Sequence, residues 1–412
     1  MRYLIISSDD LDDEATMRVC FLTRSVMAHQ VGGMERQTHL LCHALCKLGH
    51  DVDIVTTAHP SGEREESGIE NQRIMYLEGT EPGKYSVEWW SASKRTFMQL
   101  HSACPYDVVH GQSIGGYAVL GSAKRFRIPV VATCHGTPLS DTRTHMTTHR
   151  FRSKPVGVAG SLMYLPHHYS VYRSSNTVIA VSSQIRDHLV RFKFVKPDNV
   201  VVVPNGTDTQ TFRPDLEGGA IREWLSVGNH KLILFIGRLI EEKGAQYAIQ
   251  ALPEVIRNVG DVRLVVAGSG PYASDLQDLA RDLGISDRVV FAGFVPEEEL
   301  PFLYASSDVL VFPTTHVEGF PLVLAEALAS GLPIVSSDIG GTSAAVTHGE
   351  TGFLFEPRDV QSLASHLTRV LCDKDLRGRM AKKARSVSLE NFSAERMAAL
   401  TVEVYERTLR RL

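Results

Sequence analysis

Two glutamates in the second half of the chain, Glu318 and Glu326, have a spacing that suits the binding of a sugar joined to a phosphate. The apolar run 308–312 before them predicts a buried strand, and the apolar residues after Pro321 recur at helical spacing. Glu318 is therefore predicted on the loop at the carboxyl end of a strand, and Glu326 in the following helix. Carboxylates can accept hydrogen bonds from neutral hydroxyls, and the N–H groups at the start of the helix can bind an anion.

Two cations are predicted at the same edge of the sheet. Arg238 and Lys243 follow the apolar run 231–236, on the segment that leads into the next helix. The arginine guanidinium offers a planar fork to phosphate oxygens, and the lysine adds a compact positive charge. Two cations in this position suit a diphosphate.

Glycines and one histidine mark three further loops. Gly32 and Gly33 fall between the first predicted strand and the first helix, where glycine lets the backbone approach a ligand without a Cβ clash. His135 directly follows the predicted strand 129–134, and this position favours a functional role over a structural one. Residues 268–270 (Gly-Ser-Gly) give a weaker signal of the same kind. None of these loops carries the GxGxxG dinucleotide fingerprint or a Walker lysine.

The elements that must position these residues alternate between strand and helix. Near-continuous Val, Ile and Leu runs predict parallel sheets covered on both faces. A chain of 412 residues exceeds one ordinary core, so we expect an α/β fold with two doubly wound, Rossmann-like domains. The predicted strands are 18–23, 52–57, 73–77, 107–110, 129–134, 177–181 and 200–203 in the first series, and 231–236, 262–267, 288–291, 308–312 and 333–336 in the second.

The turn Pro204-Asn205-Gly206 predicts the boundary between the two domains. The last segment has Ser393 as a helix N-cap and is expected to cross back onto the first domain. The predicted division is an N-terminal extension (1–16), a first domain (17–205), a second domain (206–392) and a C-terminal helix (393–412).

Composition narrows the classes of function. A net charge of −4 argues against a general nucleic-acid binder, and no apolar stretch approaches the ~18–20 residues needed to span a bilayer. Residues 1–16 are acidic and unlike a signal peptide; we expect a loose extension or, from residues 3–6, an extra edge strand. The six cysteines form no CxxC pair, which favours reduced thiols in a cytoplasmic protein.

One region, 124–196, is strongly basic, with twelve Lys or Arg against two acidic residues. Basic and apolar residues interleave near its end, around Phe192. This pattern is typical of a face that binds a membrane surface or an anionic acceptor. A solvated basic face with an ordinary buried side explains it equally well.

These motifs together closely resemble glycosyltransferase family 4, over nearly all of residues 17–412. The most specific is the run from Glu318 to Glu326, which looks like the E-x7-E signature of that family. The resemblance implies the GT-B architecture, in which an acceptor-side domain faces a nucleotide-sugar-binding domain across a cleft. The other matching pieces are Gly32-Gly33, His135, Pro204-Asn205-Gly206, and Gly237-Arg238 with Lys243.

By that resemblance, Arg238 and Lys243 bind the donor diphosphate and Glu326 holds the ribose hydroxyls. Val295 meets the base through its backbone. Gly33 lets the first domain close on the diphosphate.

The sugar half of the site follows from the same resemblance. Glu318 contacts the ring hydroxyls of the sugar, and His135 lies near its O6. Pro321 departs from family members that have glycine there, and it removes one backbone donor. The residues that line the phosphate and sugar are Gly319, Phe320, Pro321 and Leu322.

The resemblance implies a retaining hexosyltransferase that uses a UDP-sugar or GDP-mannose. The acceptor is a hydroxyl of a lipid-linked, polysaccharide or small polyol molecule. No cofactor or metal is expected, because the sequence has no DxD-like cluster at a strand end. The alternatives are a nucleotide-sugar epimerase and a non-catalytic nucleotide-sugar-binding subunit. We expect the protein to be cytoplasmic, either free in the cytoplasm or at the inner face of the membrane. The expected catalytic residues are His135, Glu318, Arg238 and Lys243.

Overall fold

The computed structural model describes residues 16–136 and 163–412, which form two β-sheets with helices on both faces. The strands are short apolar runs whose side chains are almost all buried; Val19 and Phe21 in the first strand are fully inaccessible. Parallel strands are joined by helical crossovers that cover both faces, so their apolar runs are continuous rather than alternating. The predicted fold class, with two doubly wound sheets, is confirmed.

The first sheet contains β1 (Arg18–Leu22), β2 (Asp51–Thr57), β3 (Glu65–Glu66), β4 (Gln72–Leu77), β5 (Val108–Gln112), β6 (Val130–Cys134), β7 (Thr177–Ala180) and β8 (Val200–Val202). Their order across the sheet is β3-β4-β2-β1-β5-β6-β7-β8. All neighbours pair in parallel except β3, which is antiparallel to β4. The chain runs outward from β1 in one direction and from β5 in the other, so the order reverses between these two strands.

The second sheet contains β9 (Lys231–Ile236), β10 (Val262–Ala267), β11 (Val289–Gly293), β12 (Val309–Phe312), β13 (Ile334–Ser337) and β14 (Gly352–Phe355). Their order is β11-β10-β9-β12-β13-β14, and all pairs are parallel. Here the order reverses between β9 and β12. In open α/β sheets such a reversal opens a crevice at the carboxyl ends of the strands, where ligands bind.

Helices connect the strands. In the first half they are α1 (Gly33–Lys47), α2 (Val87–Ala103), α3 (Leu120–Phe126), α4 (Leu165–Ser174) and α5 (Ser183–Arg191). In the second half they are α6 (Gly219–Trp224), α7 (Ala245–Val259), α8 (Ala273–Asp282), α9 (Leu300–Ala305), α10 (Leu322–Ala329), α11 (Thr342–Ala345), α12 (Val360–Cys372), α13 (Lys374–Asn391) and α14 (Ala394–Leu409). Short 3-10 turns cover Tyr117–Val119, Pro197–Asn199, Glu241–Lys243, Ser286–Arg288 and Glu297–Glu299.

The last helix, α14, packs against α1 beside the first sheet. The buried hydroxyl of Tyr405 lies 2.6 Å from Nδ1 of His110, a residue of β5. Ser393 caps α14 by accepting a hydrogen bond from the Arg396 N–H. The chain therefore leaves the second sheet and ends against the first.

Most predicted elements lie within one or two residues of the observed ones, because their apolar runs are bounded by turn residues. Helices α4, α6, α11 and α13 and strands β3 and β14 were not among those predicted. The alternative strand at 3–6 and nearly all of the long loop after His135 lie outside the described residues.

Candidate active site

Lys243 and Glu318 meet at the carboxyl edge of the second sheet. Lys243 Nζ donates to Glu318 Oε1 over 2.5 Å, and the two side chains are 22% and 14% exposed. Burial raises the pKa of the Glu318 carboxyl. The charges of Lys243, His316 and Arg238 outweigh burial and hold that pKa below its ordinary value. Glu318 is therefore ionised at neutral pH.

Glycines, which have no Cβ, allow the loops around this contact to pack closely against one another. Gly244 ends the turn that carries Lys243; a Cβ on Gly244 would lie 1.9 Å from the carbonyl oxygen of Pro313, just after β12. On the other side, the N–H of Gly341 donates to the carbonyl oxygen of Glu318 over 2.8 Å. Side chains at these glycines would push the loops apart. The sequence analysis missed Gly341, although a glycine pair soon after β13 was a readable signal.

Arg238 lies on the loop after β9 and is exposed. A Cβ on Gly268 would lie 1.9 Å from the carbonyl oxygen of Gly237, and the N–H of Leu239 donates to the carbonyl oxygen of Ser269 over 2.9 Å. The weak glycine signal at 268–270 thus has a structural explanation, because this loop supports the backbone on both sides of Arg238. The guanidinium contacts no carboxylate among the described residues, which leaves it available to an anion.

Glu326 lies in α10 and is only 1% exposed. Its Oε2 accepts a hydrogen bond from the hydroxyl of Tyr304 over 2.7 Å, and its Oε1 accepts one from Arg36 Nη1 over 2.6 Å. Burial raises the pKa of the Tyr304 hydroxyl well above its usual value, and the charge of Glu326 adds to the effect. Tyr304 therefore stays protonated and acts as a donor to the carboxylate.

Sequence reasoning missed Arg36, which belongs to α1 on the other side of the cleft. Besides Glu326, it contacts Glu297: its Nε lies 3.0 Å from Glu297 Oε1. A cation in the first turn of a helix interacts unfavourably with the helix dipole, so a nearby carboxylate partner stabilises it. The position of Arg36 in the first turn of α1 was therefore the available signal of a carboxylate partner, but it did not reveal which carboxylate that partner is.

His135 follows β6 and lies where the two sheets approach each other. Its Nε2 is 2.6 Å from Gln112 Oε1, and Gln112 Nε2 donates to Gln37 Oε1 over 3.2 Å. A Cβ on Gly319 would lie 1.9 Å from the carbonyl oxygen of His135, so the Glu318 loop touches the β6 loop directly. Burial lowers the pKa of the His135 imidazole to about 4, and the ring is neutral at pH 7.

This pKa predicts how stability changes with pH. In the unfolded chain histidine binds a proton below about pH 6.5, whereas folded His135 does so only near pH 4. Its contribution to the free energy of unfolding is full above pH 6.5 and is lost as the pH falls towards 4. In urea titrations between pH 7 and 4.5, we expect stability to fall more steeply for wild type than for His135→Asn. Parallel pH profiles would contradict the assignment of a low pKa to this imidazole.

The remaining predicted residues differ in how they face the cleft. No atom of the described residues lies within 4 Å of a Cβ built on Gly33, whereas a Cβ on Gly32 would clash with the Glu35 carboxylate. Val295 is 6% exposed. The Phe320 ring is buried against Phe392, with ring centroids 5.1 Å apart, so only the backbone of Phe320 can meet a ligand.

The helix start after Phe320 also contributes only backbone groups. Pro321 takes the N-cap position of α10, and Leu322 is its first residue. The Leu322 side chain is 7% exposed, and no side chain caps the helix. The N–H groups of the first turn are therefore the donors at this point, as expected where a helix begins.

Three expectations from composition concern the whole chain. Within residues 16–136 and 163–412, no three His, Cys, Asp or Glu side chains converge as a ligand set for a metal ion. In the same part of the chain, no helix is long and apolar enough to cross a membrane. All six cysteines are described, and none of them forms a disulfide.

Two doubly wound sheets that face each other with cations and carboxylates between them match the GT-B fold, which glycosyltransferases use. The family comparisons agree: residues 31–211 match the family described as Glycosyltransferase Family 4, and residues 220–387 match that described as Glycosyl transferases group 1. The chain belongs to glycosyltransferase family 4, a retaining family of hexosyltransferases.

Relatives match along nearly the whole chain. The D-inositol 3-phosphate glycosyltransferase of Frankia alni is 33% identical over 374 residues, which cover 86% of this chain and 89% of that protein. An uncharacterised glycosyltransferase of Methanocaldococcus jannaschii is 29% identical over 404 residues, 95% and 98% of the two chains. The solved sucrose-phosphate synthase of Thermosynechococcus elongatus superposes with a TM-score of 0.80 at 22% identity, covering 96% of this chain and all of that one. The predicted enzyme class is confirmed, and transfer is favoured over epimerisation or a non-catalytic role.

Proposed function

We propose that this enzyme binds a nucleoside-diphosphate hexose in the cleft between the two sheets and transfers the hexosyl group to an acceptor hydroxyl. The observation that carries the proposal is the contact between Lys243 and Glu318, with the exposed Arg238 on the same edge. Without a ligand, Lys243 neutralises the carboxylate. An incoming diphosphate gives Lys243 a second partner and leaves Glu318 free to accept hydrogen bonds from sugar hydroxyls.

For the donor, we assign the diphosphate to Arg238 and Lys243 and the ribose hydroxyls to Glu326. The backbone of Val295 meets the base, and Gly33 provides the close approach of the first domain. Residues 319–322 line the phosphate and sugar, mainly through backbone N–H groups. Because a backbone contact discriminates weakly between bases, both UDP-sugars and GDP-mannose are candidate donors.

For the chemistry, we assign His135 to the sugar near O6, where its neutral ring offers a hydrogen bond without adding charge. The bond from the anomeric carbon to the phosphate oxygen breaks, and the acceptor oxygen bonds to that carbon on the same face. The acceptor proton passes to the departing diphosphate. Arg238 and Lys243 stabilise the charge that grows on this leaving group. These side chains supply the positive charge, so we propose that no metal is needed.

A donor panel tests this function. In a panel of nucleotide sugars, we expect one donor and its nucleoside diphosphate to raise the melting temperature of the enzyme. A ligand at 100 times its Kd adds about 2.7 kcal/mol to the free energy of unfolding. With an acceptor, proton NMR should show product with the anomeric configuration of the donor. Inverted product, or an isomerised sugar from donor alone, would contradict a retaining transferase.

Gly33→Ala is expected to weaken donor binding at least about 10-fold while the protein folds normally. An added methyl group meets no atom of residues 16–136 and 163–412, so we attribute the expected loss to the ligand that approaches there. Gly378→Ala is the matched control, since Gly378 lies in α13 and its added Cβ also meets nothing within 4 Å. Calorimetry with the nucleoside diphosphate provides the measurement. Equal Kd values for the Gly33 and Gly378 variants would remove Gly33 from the donor site.

We propose further that the basic 124–196 region binds an anionic lipid surface, which would bring a lipid-linked acceptor to the cleft. Charge complementarity supports this: Arg191 and Lys193 are exposed beside Phe192 and Tyr169, whose rings are 47% and 48% exposed. Co-sedimentation with phosphatidylserine vesicles should exceed that with phosphatidylcholine vesicles, and Arg191→Ser/Lys193→Ser should reduce it. Equal binding to both vesicle types would favour a soluble polysaccharide or polyol acceptor.

We propose a cytoplasmic location for the enzyme. The six cysteines form no disulfide, which supports a reducing compartment.

A further inference from the structure

Arg36 is a partly buried cation that connects the two sides of the cleft. It projects from the first turn of α1, its side chain is 15% exposed, and both of its carboxylate partners belong to the second half of the chain. Nη1 donates to Glu326 Oε1 over 2.6 Å, and Nε lies 3.0 Å from Glu297 Oε1. Burial alone would lower the pKa of the guanidinium, but the charges of Glu326 and Glu297 outweigh it and raise the pKa.

The hydrogen bonds to Glu326 from the described residues do not use all of its acceptor positions. Each carboxylate oxygen has about two acceptor positions. One on Oε1 is taken by Arg36 and one on Oε2 by Tyr304, so each oxygen keeps one acceptor position. Two neighbouring acceptors on a carboxylate fixed at both ends match two adjacent hydroxyls, as on a ribose.

Without Arg36, this carboxylate would lose its only charged partner among the described residues. Glu326 is 1% exposed, and Tyr304 is neutral. A buried carboxylate without a cation tends to take up a proton or to turn away. In either case the geometry offered to two hydroxyls is lost.

Arg36 has a second carboxylate partner, Glu297. Glu297 lies two residues after Val295, on the turn that follows β11. Arg36 thus contacts the carboxylate assigned to the ribose and a second carboxylate that is close in sequence to the residue assigned to the base. Since it comes from α1, these contacts form only when the first sheet stands close to the second.

We propose that Arg36 is a positioning residue for nucleoside recognition: it fixes Glu326 across the cleft and makes binding of the ribose hydroxyls depend on the approach of the two domains. The inference rests on the proposed donor site and adds a residue of the opposite domain to it. Arg36 acts through Glu326, so removing it should affect donor binding more than the chemical step.

The test compares a nucleoside diphosphate with its 2′-deoxy counterpart, using UDP and dUDP or GDP and dGDP, whichever pair the wild type binds. A hydrogen bond to a charged group corresponds to about 10–100-fold in affinity, so wild type should prefer the ribonucleotide by at least about 10-fold. Arg36→Met should reduce that preference to about 3-fold or less. It should raise the donor KM while kcat at saturating donor changes by only about 3-fold.

Arg36→Lys keeps the charge and guards against misfolding, but it cannot fork to both carboxylates. We expect it to show an intermediate preference. Arg95→Met is the matched control, because Arg95 is exposed on α2 and, among the described residues, donates a side-chain hydrogen bond to Ser91 alone; it should behave as wild type.

The outcomes separate two failures. If the wild type prefers the ribonucleotide and both Arg36 variants keep the full preference, Arg36 has no role in positioning Glu326 and the inference is wrong. If the wild type binds neither nucleotide of either pair, the donor site itself is wrong.

Discussion

Lys243→Ala should lower kcat at least about 100-fold, an amount typical of a lost electrostatic contact to a charge that develops in the transition state. The lysine has two tasks in this account. In the free enzyme it neutralises Glu318, which is 14% exposed, and in the reaction it stabilises the departing diphosphate. Steady-state kinetics at saturating donor measure the loss directly. Glu318→Ala should cause a loss of similar size because the sugar hydroxyls lose their acceptor.

The matched control is a lysine in an exposed ion pair. Lys383 Nζ lies 3.7 Å from Glu350 Oε2, and the two side chains are 51% and 57% exposed. Lys383→Ala should leave kcat within about 2-fold of wild type, since exposed pairs contribute little. Near-normal turnover of folded Lys243→Ala would refute the role of this lysine.

Gly319→Ala is expected to reduce kcat/KM about 100-fold, although it removes no polar group. The added Cβ would lie 1.9 Å from the carbonyl oxygen of His135 and 3.0 Å from Val181 Cγ2. The Glu318 loop must then move away from the β6 loop, and a displacement of about 1 Å at reacting groups can cost about 100-fold in rate. Kinetics combined with a melting curve would separate this effect from a loss of folding.

Gly121→Ala serves as the control for Gly319→Ala, because Gly121 lies in α3 and its added Cβ meets nothing within 4 Å. It should keep wild-type kinetics. If Gly319→Ala is also fully active, the contact between the two loops is not needed for catalysis.

Much of the fold could be predicted from the sequence, because a doubly wound sheet has a local signature. Its strands are uninterrupted apolar runs such as β9, and its helices have one buried face such as that of α7. The site loops could also be placed, since the carboxyl ends of parallel strands share one edge. Lys243 and Glu318 follow β9 and β12, which are neighbours in the sheet.

What the sequence did not reveal depends on contacts between distant segments. Arg36 and Glu326 are 290 residues apart, and nothing local to either names the other as its partner. Gln112, which supports His135, is 23 residues from it and carries no motif. Phe320 differs in another way: the Phe320 ring packs against Phe392, so its predicted place in the lining of the site falls to its backbone. Local pattern predicts which loops form the site, but three-dimensional packing decides which side chains turn towards it.

The most direct test of the central claim is a crystal structure of the enzyme with its nucleotide sugar. We predict that the diphosphate lies within hydrogen-bonding distance of Arg238 and Lys243. The ribose hydroxyls should face Glu326, and the sugar should lie between Glu318 and His135. A donor bound elsewhere, or a diphosphate that leaves the contact between Lys243 and Glu318 intact and touches neither cation, would contradict the account.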